Sequence, residues 1–437
     1  MTSGVANPAG VIVPARRLRA RLRLPSDKSI AHRALIVNAL AGGPATTTMR
    51  HPGDDLASTI GCLRTLGVAI STVPDGDELH VTLRGELRSP PPGATLDCGN
   101  SGTAMRLLAG ALAGREITAT LDGDASLRRR PMERVAAPLR AMGAAVETDG
   151  GRTPLRVTGH ATLRAMDHRL PVASAQLLGA ISLAALAADG ETRIESPGPT
   201  RDHTERLLTW MGVPIRRDGT VTTISGPARP EPRSLSVPGD PSAATAWLVA
   251  ASIHPDAELE LIGVGLNPTR LGVVETLRRA GAEIEIRPAS SDGPEPIGDI
   301  VVRSGGRLAP IAIGGAQVAA LIDELPLLAI VMAAIEGKSE LRGAGELRLK
   351  ESDRIAATVA GLAAIGAAVE ELPDGWRVSR GEPREARIAT HGDHRIAIAF
   401  AIAALTGLAR SARFDDARCA SVSYPSFWND LAAVRRA

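Results

Sequence analysis

At 437 residues the chain is long enough for two or three domains with large cores. A formal net charge of +2 supplies no strong field for nucleic acid or a membrane surface, and aromatics at 2% leave little for stacking on bases. The three cysteines, Cys62, Cys98 and Cys419, share no CxxC spacing, so neither a disulfide framework nor a zinc site is suggested.

In chain order, Met1 to Gly10 lacks a basic-then-apolar leader pattern, and the expectation is a soluble, reduced, cytoplasmic protein. Pro25-Ser-Asp-Lys-Ser-Ile-Ala-His-Arg33 then opens an apolar run that stops at Gly42-Gly43. Ser26 or Asp27 can cap a helix there and the paired glycines can end it. The helix start carries Lys28, His32 and Arg33. Cations there oppose the helix dipole, which makes sense if a doubly charged anion such as a phosphate ester docks on them. The alternative is an exposed basic helix start.

Six such Ala-rich runs begin near Lys28, Asn100, Ser174, Asp240, Asp323 and Asp393, roughly 70 to 80 residues apart. Each is too short to span a bilayer and apolar on nearly every face, so each reads as a helix buried inside a domain. A second series alternates with them. Leu63-Arg-Thr-Leu-Gly67 resembles Leu139-Arg-Ala-Met-Gly143, and the pattern returns at Leu208–Ile215, Leu277–Ile284 and Leu362–Val369. These are amphipathic helices ending on a C′ glycine and followed by strand-like alternation. A sixth copy near Leu431 meets the chain end without the glycine. The repeat is thus two helices plus several strands, six times over. It groups into an α/β chain of two three-repeat domains, 24–235 and 1–23 plus 236–437, hinged near Ser236-Val-Pro-Gly-Asp240. Buried helices whose N-termini share a cleft would gather their positive ends around anionic substrates.

The polar openings are where site residues are expected. They include Asn100-Ser-Gly-Thr-Ala-Met-Arg106, Arg129-Arg-Pro-Met132, Ser174-Ala-Gln176, Arg201-Asp-His-Thr-Glu205, Asp323-Glu324, Lys350-Glu-Ser-Asp-Arg354 and Asp393-His-Arg395. Acidic groups at helix starts, such as Asp202, Asp240 and Asp353, are ordinary dipole partners. Arg and Lys recurring there point to bound anions. Among 50 basic residues only Lys28, Lys338 and Lys350 are lysines. A lysine kept against that bias is a compact, mobile donor; Lys338 reads as an ordinary turn residue.

These motifs together, from about Leu24 to Pro425, resemble the EPSP synthase (3-phosphoshikimate 1-carboxyvinyltransferase) family, and Thr200 to Glu205, Pro238-Gly-Asp-Pro-Ser242 and Ile322-Asp-Glu-Leu-Pro326 resemble its class II branch. The resemblance implies a two-domain inside-out α/β barrel, each domain made of three βαβαββ repeats. It implies transfer of the enolpyruvyl group of phosphoenolpyruvate to the 5-hydroxyl of shikimate 3-phosphate, with release of phosphate. By motif match, Lys28, Ser29, Arg33, Ser174, Gln176, Arg201, Asp323 and Lys350 hold shikimate 3-phosphate. Lys28, Gly102, Arg130, Gln176, Arg354 and Arg395 hold phosphoenolpyruvate. Asp323, Glu351 and Lys28 carry the proton and phosphate chemistry. Asp323 also has a plain reading as a helix cap. Neither a metal nor another cofactor is implied, and a monomer binding only these small anions is expected. The resemblance further implies competition by glyphosate, an anionic mimic of phosphoenolpyruvate, at a position governed by Gly102. Two departures stand out: Ala175 replaces a Ser of some members, and Val422-Ser-Tyr-Pro425 lacks a Lys that others carry near there.

Two alternatives remain. A transferase acting on UDP-N-acetylglucosamine has a reactive Cys just before an Arg-Pro, and none lies between Asp124 and Pro131. A non-catalytic anion-binding homologue would not need the full set of chemical residues.

Overall fold

The computed structural model describes residues 10–436. The reading of Met1 to Gly10 therefore lies almost wholly outside the described residues. The chain divides into two compact units. One takes the chain up to Pro25, Pro238–Ser290 and the chain from Pro296 onward; the other takes Ser26–Val237 and Ser291–Glu295. The excursion Ser291–Glu295 is absent from the domain boundaries drawn on the sequence. Each unit has its own apolar core. Among the described residues no helix is long and apolar enough to cross a membrane.

The buried series forms as its composition dictates. In the Ser26–Val237 unit it comprises Lys28–Ala41, Gly102–Ala113 and Ala175–Ala185. In the other it comprises Pro241–Ile253, Leu325–Ala334 and His394–Leu405. Every residue from Ile30 to Ala41 is buried. A helix without a polar face can satisfy its free N–H groups only at its ends. Asp27, Ser101, Ser174, Asp240 and Asp393 do so by accepting from the first turn, and Gly42, at φ +80°, ends the first helix. The Leu325–Ala334 helix has no side-chain cap.

The second series comprises Asp54–Thr65, Glu133–Met142, His203–Trp210, Gly272–Ala280, Arg354–Ile365 and Phe427–Arg436. Its strands follow one wiring. Thr95–Asp97 runs parallel to Thr118–Asp122, which is antiparallel to Arg152–Thr158, which pairs with Ala145–Asp149. Four other sheets repeat this order, among them Leu18–Arg23, Ala257–Gly265, Ile297–Arg303 and Glu283–Ala289. Burial alternates along Arg152–Thr158, so one face meets the core and the other faces out. Among the described residues the sixth sheet has only Glu385–Ile388 and Ser411–Phe414, which run parallel. The sheets stay separate, so the inside-out arrangement of buried helices holds without a closed strand barrel among the described residues. Lys338, expected in a turn, opens the strand Lys338–Leu341.

All aromatic residues except Trp210 belong to the unit with both chain ends. Trp247 Nε1 donates to Tyr424 Oη at 2.8 Å, and Phe427 packs on both rings. This cluster ties the C-terminal stretch to the Pro241–Ile253 helix.

Gly102–Ala113 and Ala175–Ala185 cross in close contact. A Cβ on Gly110 would lie 2.1 Å from the Ala180 carbonyl oxygen. Gly110→Ala should lower stability by about 1–3 kcal/mol or more, read as a lower urea midpoint. An unchanged midpoint would mean the two helices separate at no cost.

Candidate active site

In the Ser26–Val237 unit the expected residues gather at the mouths of the three buried helices. Lys28, first residue of its helix, places Nζ 3.0 Å from Asp55 Oδ2, so the carboxylate holds the ammonium in place. Arg33, one turn on, is 3% exposed. Its guanidinium donates to Thr204 Oγ1 at 2.7 Å, to the Ser29 carbonyl at 2.9 Å and to the Ala175 carbonyl at 3.3 Å. Burial pulls its pKa down to about 10, against the attraction of Glu205, and it stays charged at pH 7. Three elements therefore fix one cation.

His32 is different from the expectation. It is fully buried with Nδ1 2.7 Å from Thr59 Oγ1. Burial drives its pKa to about 4, so it is neutral at pH 7 and adds no positive charge to the opening. Ser174 also differs in part. Its Oγ accepts from the Leu177 N–H at 3.4 Å as a cap, leaving its hydroxyl hydrogen as the group it can offer a ligand.

Gly102, Arg130 and Gln176 form a second group, joined by a residue to which no role was given. Arg106 donates to Gln176 Oε1, and Gln176 Nε2 donates to Thr103 Oγ1 at 2.8 Å. A Cβ on Gly102 would lie 2.9 Å from Arg106 Nη1 and 3.1 Å from Arg130 Nη1. Two guanidinium groups thus crowd a backbone that only glycine leaves open. The signal for Arg106 was present in the sequence: it is the only charge in an otherwise apolar helix.

In the other unit Asp323 faces two cations, with Oδ1 3.5 Å from Lys350 Nζ and 3.5 Å from Arg354 Nη1. Glu324, not Asp323, occupies the cap position of the following helix, so capping does not account for Asp323. Arg354 is 1% exposed. Its Nε donates to Asp393 Oδ2 at 2.8 Å and its Nη2 to Glu351 Oε2 at 2.6 Å. Burial opposes its charge, but Asp393, Glu351 and Asp323 outweigh burial and raise its pKa. Burial likewise works against the Asp393 carboxylate, and Arg354 overcomes it. Asp393 also accepts from Ser352 Oγ at 2.9 Å and from the Arg395 N–H. One buried carboxylate thus positions Arg354, the Ser352 turn and the start of the last buried helix.

Arg395 is 7% exposed, and its buried Nε has no hydrogen-bond partner. It borders a small cavity with Asp240, Ser242, Ser423 and Tyr424. A buried cation left without a protein acceptor suits an anion supplied from outside. Ser423 lies in the stretch that lacks the expected Lys. No group of three His, Cys, Asp or Glu side chains among the described residues could hold a metal ion. The site set therefore falls into clusters, one around Arg33, one around Gly102 and one around Arg354, each built of fixed positive charge beside a helix mouth.

Residues 12–431 match the family model described as EPSP synthase (3-phosphoshikimate 1-carboxyvinyltransferase). A 3-phosphoshikimate 1-carboxyvinyltransferase of Roseiflexus castenholzii is 48% identical, over 97% of this chain and 99% of that one. One from Herpetosiphon aurantiacus is 45% identical, over 97% and 98%. The EPSP synthase structure from Acinetobacter baumannii superposes with a TM-score of 0.84 at 36% identity, covering 97% of each chain. The helix openings and their buried cations lie inside this nearly end-to-end match, and the chain belongs to the EPSP synthase (3-phosphoshikimate 1-carboxyvinyltransferase) family.

Proposed function

We propose how this chain carries out the reaction of its family, in which the enolpyruvyl group of phosphoenolpyruvate passes to the 5-hydroxyl of shikimate 3-phosphate and phosphate leaves. Shikimate 3-phosphate is held by Lys28, Ser29, Arg33, Ser174, Gln176, Arg201, Asp323 and Lys350. Phosphoenolpyruvate is held by Lys28, Gly102, Arg130, Gln176, Arg354 and Arg395. The protein works as a cytoplasmic monomer without a resident cofactor.

The reaction adds, then eliminates. The hydroxyl oxygen bonds to C2 of phosphoenolpyruvate as its proton leaves and another proton reaches C3. The tetrahedral intermediate then loses a proton from C3 and phosphate from C2, which restores the double bond. Asp323 accepts the hydroxyl proton, Glu351 moves the proton at C3, and Lys28 serves the departing phosphate. The observation that carries this reading is the carboxylate of Asp323 held between Lys350 and Arg354, each 3.5 Å away. A base fixed beside two cations can take a proton while the cations face substrate anions. Arg354 cannot drift, because Asp393 and Glu351 hold it from two sides. Catalysis by fixed charge needs such preorganisation.

The assay that tests the reading is release of phosphate from phosphoenolpyruvate that depends on shikimate 3-phosphate. Release with UDP-N-acetylglucosamine instead, or none with either acceptor, would overturn it. Asp323→Ala should cut turnover about 10²–10⁴-fold while titration still detects shikimate 3-phosphate binding. Near-normal turnover in the folded variant would remove the proton-accepting role. Gly102→Ala should weaken glyphosate inhibition by more than it raises the KM for phosphoenolpyruvate. The new methyl must displace the ends of Arg106 and Arg130, and the longer anion has less room to adjust. Equal changes in both constants would mean that the methyl acts through the displaced guanidinium groups alone.

A further inference from the structure

The mechanism uses neither His203 nor Glu295, yet they form a deeply buried pair. Glu295 Oε1 lies 2.6 Å from His203 Nδ1, with side chains 3% and 2% exposed. The two side chains share this hydrogen bond directly. Glu295 ends the excursion Ser291–Glu295, which joins the Ser26–Val237 unit although the chain on both sides belongs to the other unit. Prolines 294 and 296 flank it and restrict the local backbone. A carboxyl group is carried out of water here and set against His203, which costs energy unless its contacts are well made.

The partner sits inside the Arg201-Asp-His-Thr-Glu205 turn. His203 begins the His203–Trp210 helix. The next residue, Thr204, accepts the hydrogen bond from Arg33 Nε at 2.7 Å. Two residues before His203 stands Arg201. The turn is tied elsewhere as well: Asp202 accepts from Arg206 Nε at 2.9 Å, and Glu205 pairs with Arg217 at 3.0 Å. Those bonds secure the helix side of the turn. The Glu295 bond secures His203, the residue just before Thr204.

We propose that Glu295 is a positioning residue for the shikimate 3-phosphate site: through His203 it fixes the turn that presents Arg201 and, through Thr204, aims Arg33. This rests on the reading that Arg33 and Arg201 hold that substrate. Loss of the carboxylate frees the turn and blurs two cations that bind one ligand. The phosphoenolpyruvate group around Gly102 and Arg130 is carried by the Gly102–Ala113 helix and the stretch after Ala125–Arg128, not by this turn, and should not respond.

The test is steady-state kinetics of the full chain with Glu295→Ala, Glu295→Gln and, as a control, Arg201→Ala, beside thermal melting and titration of shikimate 3-phosphate. Glu295→Ala should raise the KM and Kd for shikimate 3-phosphate about tenfold, the size of one lost charge-assisted hydrogen bond. The KM for phosphoenolpyruvate and kcat should stay within about twofold. Glu295→Gln, equal in shape and still able to accept, should give a smaller rise with the same selectivity, and it decides the matter if the alanine variant does not fold. A purely structural role would move both KM values together with the melting temperature. That result, or an unchanged constant for shikimate 3-phosphate in a folded variant, overturns the proposal. Arg201→Ala separates the failures. A large rise there without a response to Glu295 overturns only the positioning role, whereas no rise there overturns the binding reading and this proposal with it.

Discussion

The buried helix with no polar face is the constraint on which each unit depends. Such a helix cannot place a charge along its length without burying it, so polar chemistry is pushed to its ends. The N-terminal end must be capped and also carries the positive end of the dipole. Five of the six buried helices meet this need with an Asp or Ser that accepts from the first turn. The sixth start, before Leu325–Ala334, has no such cap, and there Asp323 turns to Lys350 and Arg354. The Asp323 carboxylate, proposed as the proton acceptor, is not spent on capping its own helix.

Cations crowded at helix mouths repel one another and the dipole, so each needs an anchor. Asp55 anchors Lys28, Asp393 and Glu351 anchor Arg354, and two backbone carbonyls with Thr204 anchor Arg33. The anchors act before any substrate arrives, which is what electrostatic preorganisation requires. Arg395 is the exception, buried with an Nε that meets no acceptor. Its neighbours Ser423 and Tyr424 are held by the aromatic cluster around Trp247. The stretch that departs from the family pattern thus lies beside the least anchored cation.

Much of the fold was legible in the sequence because its signals are local. Apolar runs without a polar face, glycines at C′ positions and a repeat of constant length depend on neighbours a few residues apart. They placed both helix series, down to Gly143 and Gly281 in the left-handed region. The motifs at the openings are equally local, and they carried the family.

What only the tertiary structure decided lies between elements far apart in the chain. His32 looked like a cation but is neutral, because packing against Thr59 removes it from water. Arg106 looked like the end of a motif but holds Gln176, 70 residues away. Asp393 looked like a cap and also holds Arg354, 39 residues away. Glu295 carried no signal beyond its flanking prolines, and its partner is 92 residues distant. Local composition determines which segments become helices and where their polar ends fall. Which polar end meets which side chain is set by how whole elements pack, since burial and pairing are properties of the assembled core rather than of any stretch of chain.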